Sequence, residues 1–432
     1  MHTRYFPLIC CALALLVFSC QSRQTGPVII IPKLVSINIV DRNGMTEIIN
    51  NPERLEQFER TDFTQAQPYQ KVLRVYSRDC QGNIPAIITS YHPNGTASQY
   101  LEVSNSRACG VYKEWYPSGQ LKLRARIIEG EADIVSGSEK SWVFDGDSTV
   151  WNEYGDIEAE FHFDKGNNTG ISTYYHKNGN IWKSIPYDNN LIHGEVEIHY
   201  SDGALLQKTR FVKGIQDGES VRYWENQTPA AQETYCDGLL ATGAYYDACG
   251  TLLCSVTNGR GTRAVFNKEA VCEYQEYQNG VMAGKAEFLD RHGRICRQYH
   301  VKDGTKHGEE ICYYDAPKFQ TVLQPKILMN WSEGKMQGTA KTWYEDGSPE
   351  SQKEMSNNKR NGHQMAWYND GSLMLIEEYE QDQLVRGEYY SKGGKFPTSM
   401  VIDGKGIATL YSADGSLLQK VNYKQGKPLL DE

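Results

Sequence analysis

The chain has 432 residues, 39 of them Gly, with 28 Tyr against 12 Phe and a formal charge of −9. Its hydrophobic share of 39% is thin for the roughly three ordinary cores that the length would allow. The negative balance excludes a bulk nucleic-acid or anionic-lipid binder, because either needs a basic footprint.

Met1 to Ser19 reads as an export signal, with Arg4 as its cation and an apolar run from Phe6 to Phe18. That run is too short to span about 30 Å of hydrocarbon as a mature helix. It ends in Val17-Phe18-Ser19-Cys20, which resembles a bacterial lipobox; Ser19 fits the pattern, and Val17 and Phe18 depart from it. The resemblance implies cleavage before Cys20, a diacylglyceryl thioether on its sulfur and acylation of the new amine. Those chains would attach the protein to a membrane of the bacterial envelope, on the periplasmic side or the surface. Residues 20–27 are a polar tether. Residues 28–85 do not repeat and read as a small α+β cap. In it, Asp41-Arg-Asn-Gly44 is a turn, Asn51-Pro52 opens a short helix through Arg60, and Lys71 to Tyr76 is a strand. A cap suits an open β-array, whose end edge would otherwise pair with other chains.

From residue 86 onward the chain repeats every 24 residues. Gly155, Gly179 and Gly203 keep the interval, as do Gly95 with Gly119 and Gly347 with Gly371. A second glycine column lies nine residues upstream, at 110, 146, 170, 194, 218, 284, 338, 362 and 406. Four residues before the turn glycine stands an aromatic, among them Trp115, Trp151, Tyr175, Tyr223, Trp343 and Trp367. Aliphatic residues follow two after it, and apolar ones eight after it. Asn-Gly and Asp-Gly pairs mark tight turns between runs rich in Tyr, Trp, Ile, Val and Thr, so each unit is a β-hairpin. No unit can bury enough apolar surface alone, so the hairpins must stack.

The pattern Gly-x4-aromatic-x3-Gly-x-Leu/Ile resembles the bacterial variant of the MORN repeat and the proteins labelled YwqK-family antitoxins. It is clearest in Gly170-Ile-Ser-Thr-Tyr-Tyr-His-Lys-Asn-Gly-Asn-Ile-Trp182 and Gly194-Glu-Val-Glu-Ile-His-Tyr-Ser-Asp-Gly203. The resemblance covers residues 86–432 as about 12–13 hairpins. The expected fold is all-β, an elongated twisted antiparallel sheet of about 25 strands. Insertions interrupt it near 131–145, 255–282 and 315–330, where irregular or protruding loops are expected.

Most candidate chemistry dissolves on inspection. Ser332 with Lys335 and Ser356 with Lys359 share a turn slot rather than a catalytic one, and no catalytic residue is assigned. His292, Cys296 and His300 are spaced by four, but His292 falls in a turn; no metal or cofactor is expected. Cys296 and Cys312 flank the turn at Gly304 and are a candidate cross-strand disulfide, with Cys80 and Cys109 a looser pair. The aromatic slot four before the turn glycine is expected to pack strand on strand. The next slot, holding His92, Tyr116, His176, Tyr200, Trp224, Tyr344 and Tyr368, is the candidate exposed binding surface. Replacing Tyr344 and Tyr368 by Ala should then leave folding intact. The expected function is a non-enzymatic, lipid-anchored envelope scaffold that binds a protein partner. The alternatives are a periplasmic antitoxin or immunity-type lipoprotein, implied only by the family label, and a cell-wall hydrolase acting through an insertion loop.

Overall fold

A computed structural model of the protein describes residues 33–67, 69–315 and 322–429. The expected export leader, Cys20 and residues 316–321 of the expected third insertion lie outside the described residues. The 37 strands among the described residues belong to one antiparallel sheet, and helix is confined to a single turn-like segment and one 3-10 turn. The expected all-β hairpin array is therefore what forms. By internal contact the chain divides into one unit through Gly119 plus Ile127–Trp142, and a second made of Gln120–Arg126 plus Val143 onward.

The first unit opens with β1 (Lys33–Asp41), β2 (Thr46–Ile49), α1 (Pro52–Glu56) and β3 (Gln70–Arg78). β1 lies between β2 and β3, with Ile37 opposite both Ile49 and Val75. The Asp41 carboxylate accepts the N–H groups of Asn43 and Met45 and shapes the turn at Gly44. Asn51 caps α1 by accepting from the N–H of Glu53 and Arg54, with Pro52 in the first turn. The helix ends at Glu56, four residues short of the expected end, because Gln57, Phe58 and Glu59 switch to tighter bonds on the carbonyls of Arg54, Leu55 and Glu56. Ile37, Ile49, Leu55, Leu73 and Val75 close a small core with Tyr91. β3 pairs directly with β4 (Pro85–Tyr91), Leu73 opposite Thr89, so the cap continues the sheet edge to edge.

The insertion after Glu129 does not protrude. Trp142 is 8% exposed, its ring lies 4.7 Å from that of Tyr112, and its indole N–H donates to the Glu131 carbonyl at 3.0 Å. Arg74 reaches both oxygens of Asp133, at 2.7 and 2.9 Å. An apolar ring and an ion pair thus fold the extra segment back onto its own unit.

In the second unit each strand pairs with its chain neighbour. The turns that follow the apolar slot have both central residues at positive φ, as in Asn189-Asn190 (50°, 66°), Lys213-Gly214 (50°, 85°) and Asn357-Asn358 (51°, 68°). That is type I′ geometry, which matches the strand twist. After these turns the outgoing strand is often broken before the upstream glycine, for example into Leu191–Ile192 and Gly194–His199. Gly194 has φ 118°, and His193 bonds back to the Pro186 carbonyl across this bulge. Such breaks raise the strand number above the expected 25 or so. The segment near 255–282 is likewise no loop. It supplies the strands Leu252–Thr257, Arg260–Phe266 and Val271–Gln278, with Asn267 accepting from Glu269 and Ala270 N–H groups in a turn that lacks glycine.

A candidate interaction surface

The residue three before the turn glycine leads its turn: the N–H of Tyr200 bonds to the Ala204 carbonyl, and the N–H of Gly203 returns to the Tyr200 carbonyl. Its ring then leaves its own hairpin. The Tyr200 hydroxyl donates to the Tyr223 carbonyl at 2.9 Å, and the Trp224 indole N–H to Tyr246 at 3.1 Å. Tyr314 reaches Trp343 at 2.7 Å, Tyr344 reaches Trp367 at 2.7 Å and Tyr368 reaches Tyr390 at 2.6 Å. His92 and His176 place Nε2 at 2.8 and 3.0 Å from the carbonyls of Trp115 and His199. Turn asparagines add a second staple, Asn178 to the Ser201 carbonyl and Asn226 to that of Ala248. At the opposite turn edge the N–H groups of Asn190, Gly214 and Gly238 donate to the carbonyls of Asn168, Ile192 and Gln216. Both ends of successive hairpins are therefore locked together.

One face of the second unit carries the aromatic slot four before the turn glycine. Trp151, Tyr175, His199 and Tyr223 are all half-buried there. Tyr175 donates to Glu160 at 2.6 Å, and that bond with the carboxylate lifts its hydroxyl to about 12. His162 Nδ1 stands 2.6 Å from the exposed Asp147 carboxylate. Lys208 bridges Glu195 at 2.6 Å and Glu197 at 3.6 Å. Half-buried rings thus share this face with carboxylates, of which Asp147 and Glu195 are exposed and Glu160 and Glu197 half-buried.

The other face holds carboxylates in its interior rows. Glu310 is 1% exposed; burial pushes its carboxyl up, but hydrogen bonds from Lys306 and Arg297 overcome this and hold it below the usual range. Arg297 sits 5.4 Å from the ring centres of both Phe288 and Tyr299, and Lys306 4.8 Å from those of Tyr299 and Trp331. Glu233 accepts from Tyr235, from Tyr245 and from Arg263 Nε at 2.7 Å. Glu377 accepts from Tyr379 at 3.2 Å and Tyr389 at 2.6 Å. Among the described residues no group of three or more His, Cys, Asp and Glu is placed to hold a metal.

Of the seven residues expected to form an exposed surface, three are buried. Tyr200, Trp224 and Tyr368 are 8%, 5% and 0% exposed, and His92, Tyr116, His176 and Tyr344 are half-buried. The turn redirects the rings of His92, His176, Tyr200, Trp224, Tyr344 and Tyr368 onto the next hairpin, where their polar atoms are used. Strand alternation predicted a face; it could not foresee that the residue already belongs to the turn. Loss of Tyr368 would empty a filled core site, against the expectation that folding survives it. The rings one position earlier, Trp151, Tyr175, His199 and Tyr223, are all half-buried and none is fully buried. Cys296 and Cys312 are free thiols. Cys312 stands opposite Arg297, while Cys296 turns its Sγ to the Phe288 carbonyl on the strand at its other side, 3.4 Å away. Cys80 and Cys109 are likewise free and exposed.

The family described as MORN repeat variant matches residues 108–125, 168–189, 336–357 and 405–425. The chain therefore carries this repeat four times over. No curated protein matches it. Among solved structures it is similar to a chain in the structure of the Photorhabdus luminescens Tc holotoxin pore with the mutation TccC3-D651A, at 11% identity and a TM-score of 0.14. That match covers 90% of this chain and 24% of the other, so the chain spans about a quarter of its length.

Proposed function

We propose that this protein is a non-catalytic scaffold of the bacterial envelope, attached through acylated Cys20, and that it binds a protein partner on the aromatic, acid-rich face of its second unit. The observation that carries the reading is the run of half-buried rings Trp151, Tyr175, His199 and Tyr223 among the carboxylates Asp147, Glu195 and Glu197. Rings held flush present area at low entropic cost, and surrounding carboxylates favour a partner with basic side chains. Repeat arrays commonly use such extended surfaces for recognition.

The test is photocrosslinking from Tyr223 in cells, followed by identification of the adduct. A single specific protein adduct, weakened in Glu195→Lys and Glu197→Lys variants, is expected. Recovery of no specific protein, or an adduct indifferent to charge reversal, overturns the binding face. Anchoring is tested separately: Cys20→Ala should move the protein from the membrane fraction to the soluble fraction.

A further inference from the structure

Two segments of the second unit repeat one design. In the first, Glu233, Tyr235, Leu240, Gly243, Tyr245, Val256 and Gly261 come together; in the second, Glu377, Tyr379, Leu384, Gly387, Tyr389, Val401 and Gly406 take the same places. Turn backbones match too, Leu240 N–H to Gly280 O and Leu384 N–H to Gly426 O, both at 3.0 Å. In each, a tyrosine hydroxyl passes over a glycine that has no room for a Cβ, 2.4 Å from Tyr245 Oη at Gly243 and 2.6 Å from Tyr389 Oη at Gly387. Each tyrosine ends on a glutamate that is more than nine-tenths buried.

The two modules differ in the cation that is hydrogen-bonded to the buried glutamate. Two residues after Gly261 stands Arg263, on Glu233 Oε1 at 2.7 Å; two residues after Gly406 stands Ala408, 1% exposed. Glu377 therefore has no hydrogen-bonded cation. The groups facing it are Tyr379 on its own strand, Tyr389 on the next and Arg360 on the preceding one, with Tyr423 beyond Tyr379. Arg360 is spent elsewhere, 3.9 Å above the Tyr379 ring and 3.6 Å from Asp382. Opposite Glu377 across the sheet stand the neutral Gln364 and Gly387.

We propose that Glu377 is a proton switch for the second module: protonated, it belongs in the core; ionised, it loosens the strands Leu373–Glu380 and Gln383–Tyr389. A neutral Glu377 can donate to the Tyr379 oxygen, whose own proton passes toward Tyr423, while Tyr389 still donates to the other oxygen. An ionised Glu377 keeps two neutral donors but no hydrogen-bonded counter-charge, an expensive state in an interior. Burial acts in the same direction, raising the carboxyl above its ordinary value of 4.5, against the smaller opposing effects of Tyr389, Tyr379 and Arg360. The folded state then binds a proton that the unfolded state has released, so module stability falls as pH rises through that window.

The experiment is amide hydrogen exchange on the full chain at about pH 5 and about pH 8, corrected for intrinsic rates. Protection across 373–389 should drop at the higher pH, by up to about tenfold for each unit by which the carboxyl is raised. Segment 229–246, whose Glu233 is paired with Arg263, is the internal comparison and should respond less. Glu377→Gln should keep the protection and abolish its pH dependence. Tyr389→Phe, which removes one donor to the carboxylate, should enlarge that dependence and serves if the Gln variant does not fold. An equal response in both segments, or pH dependence that survives Glu377→Gln, overturns the proposal.

Discussion

At the residue scale, the upstream glycines and the carboxylates beside them are parts of one device. Gly362 has φ 111°, and a Cβ there would stand 2.0 Å from Glu354 Oε2, the oxygen that takes the His363 N–H. Gly110 with Glu102 and Gly284 with Glu276 repeat the arrangement. Glycine is needed both for the left-handed backbone and for the carboxylate that satisfies the bulge. Gly362→Ala should cost about 1–3 kcal/mol, read as a lower denaturant midpoint. Tyr368 is fully buried and donates to Tyr390, itself 9% exposed. Tyr368→Phe leaves that carbonyl without its donor, at about 1–3 kcal/mol. Tyr368→Ala adds a cavity and should cost about 3–5 kcal/mol. Equal midpoints for wild type and Tyr368→Ala would show the ring to be dispensable. The glycine columns were legible in the sequence, because spacing alone marks turns. The direction of the Tyr368 ring was not, since it depends on where the turn ends and the strand begins.

At the element scale, the hairpin is only half a structure until its neighbour arrives. Its faces are set by alternation, but its interior rows admit a carboxylate only where other strands bring donors. Glu233 is such a case: Tyr235 shares its strand, Tyr245 comes from the next, and Arg263 from two further on. Arg263→Ala should strand this carboxylate and cost about 3–5 kcal/mol. Chemical unfolding of both forms checks this, and a variant as stable as wild type would show the ion pair to be ornamental. In sequence, Glu233 and Glu377 sit at equivalent repeat positions and look like surface acids. Only the strand register reveals that one has a cation and the other does not.

At the scale of the whole molecule, stability is a chain of neighbour contacts. Within the second unit, tethers such as Tyr200 to Tyr223 and Trp224 to Tyr246, with the backbone bonds at the opposite turns, join each hairpin to the next. Damage should therefore spread to neighbours and fade with distance. Tyr200→Phe should reduce exchange protection in the hairpins on either side of the 200–223 bond and leave 338–371 unchanged. Uniform loss across the unit would mean that it unfolds as one cooperative body instead. By itself the sequence determined the all-β class, the 24-residue period and the hairpin turns, because glycine spacing and side-chain alternation are local constraints on φ, ψ and strand face. Tertiary structure decided that the insertion after Glu129 packs back, that the 255–282 segment joins the sheet, that Cys296 turns away from Cys312, and which aromatic column is spent on tethers. Each of these depends on which strand lies alongside, and on which donor or ring that strand brings within reach, a pairing between distant residues that no local pattern encodes.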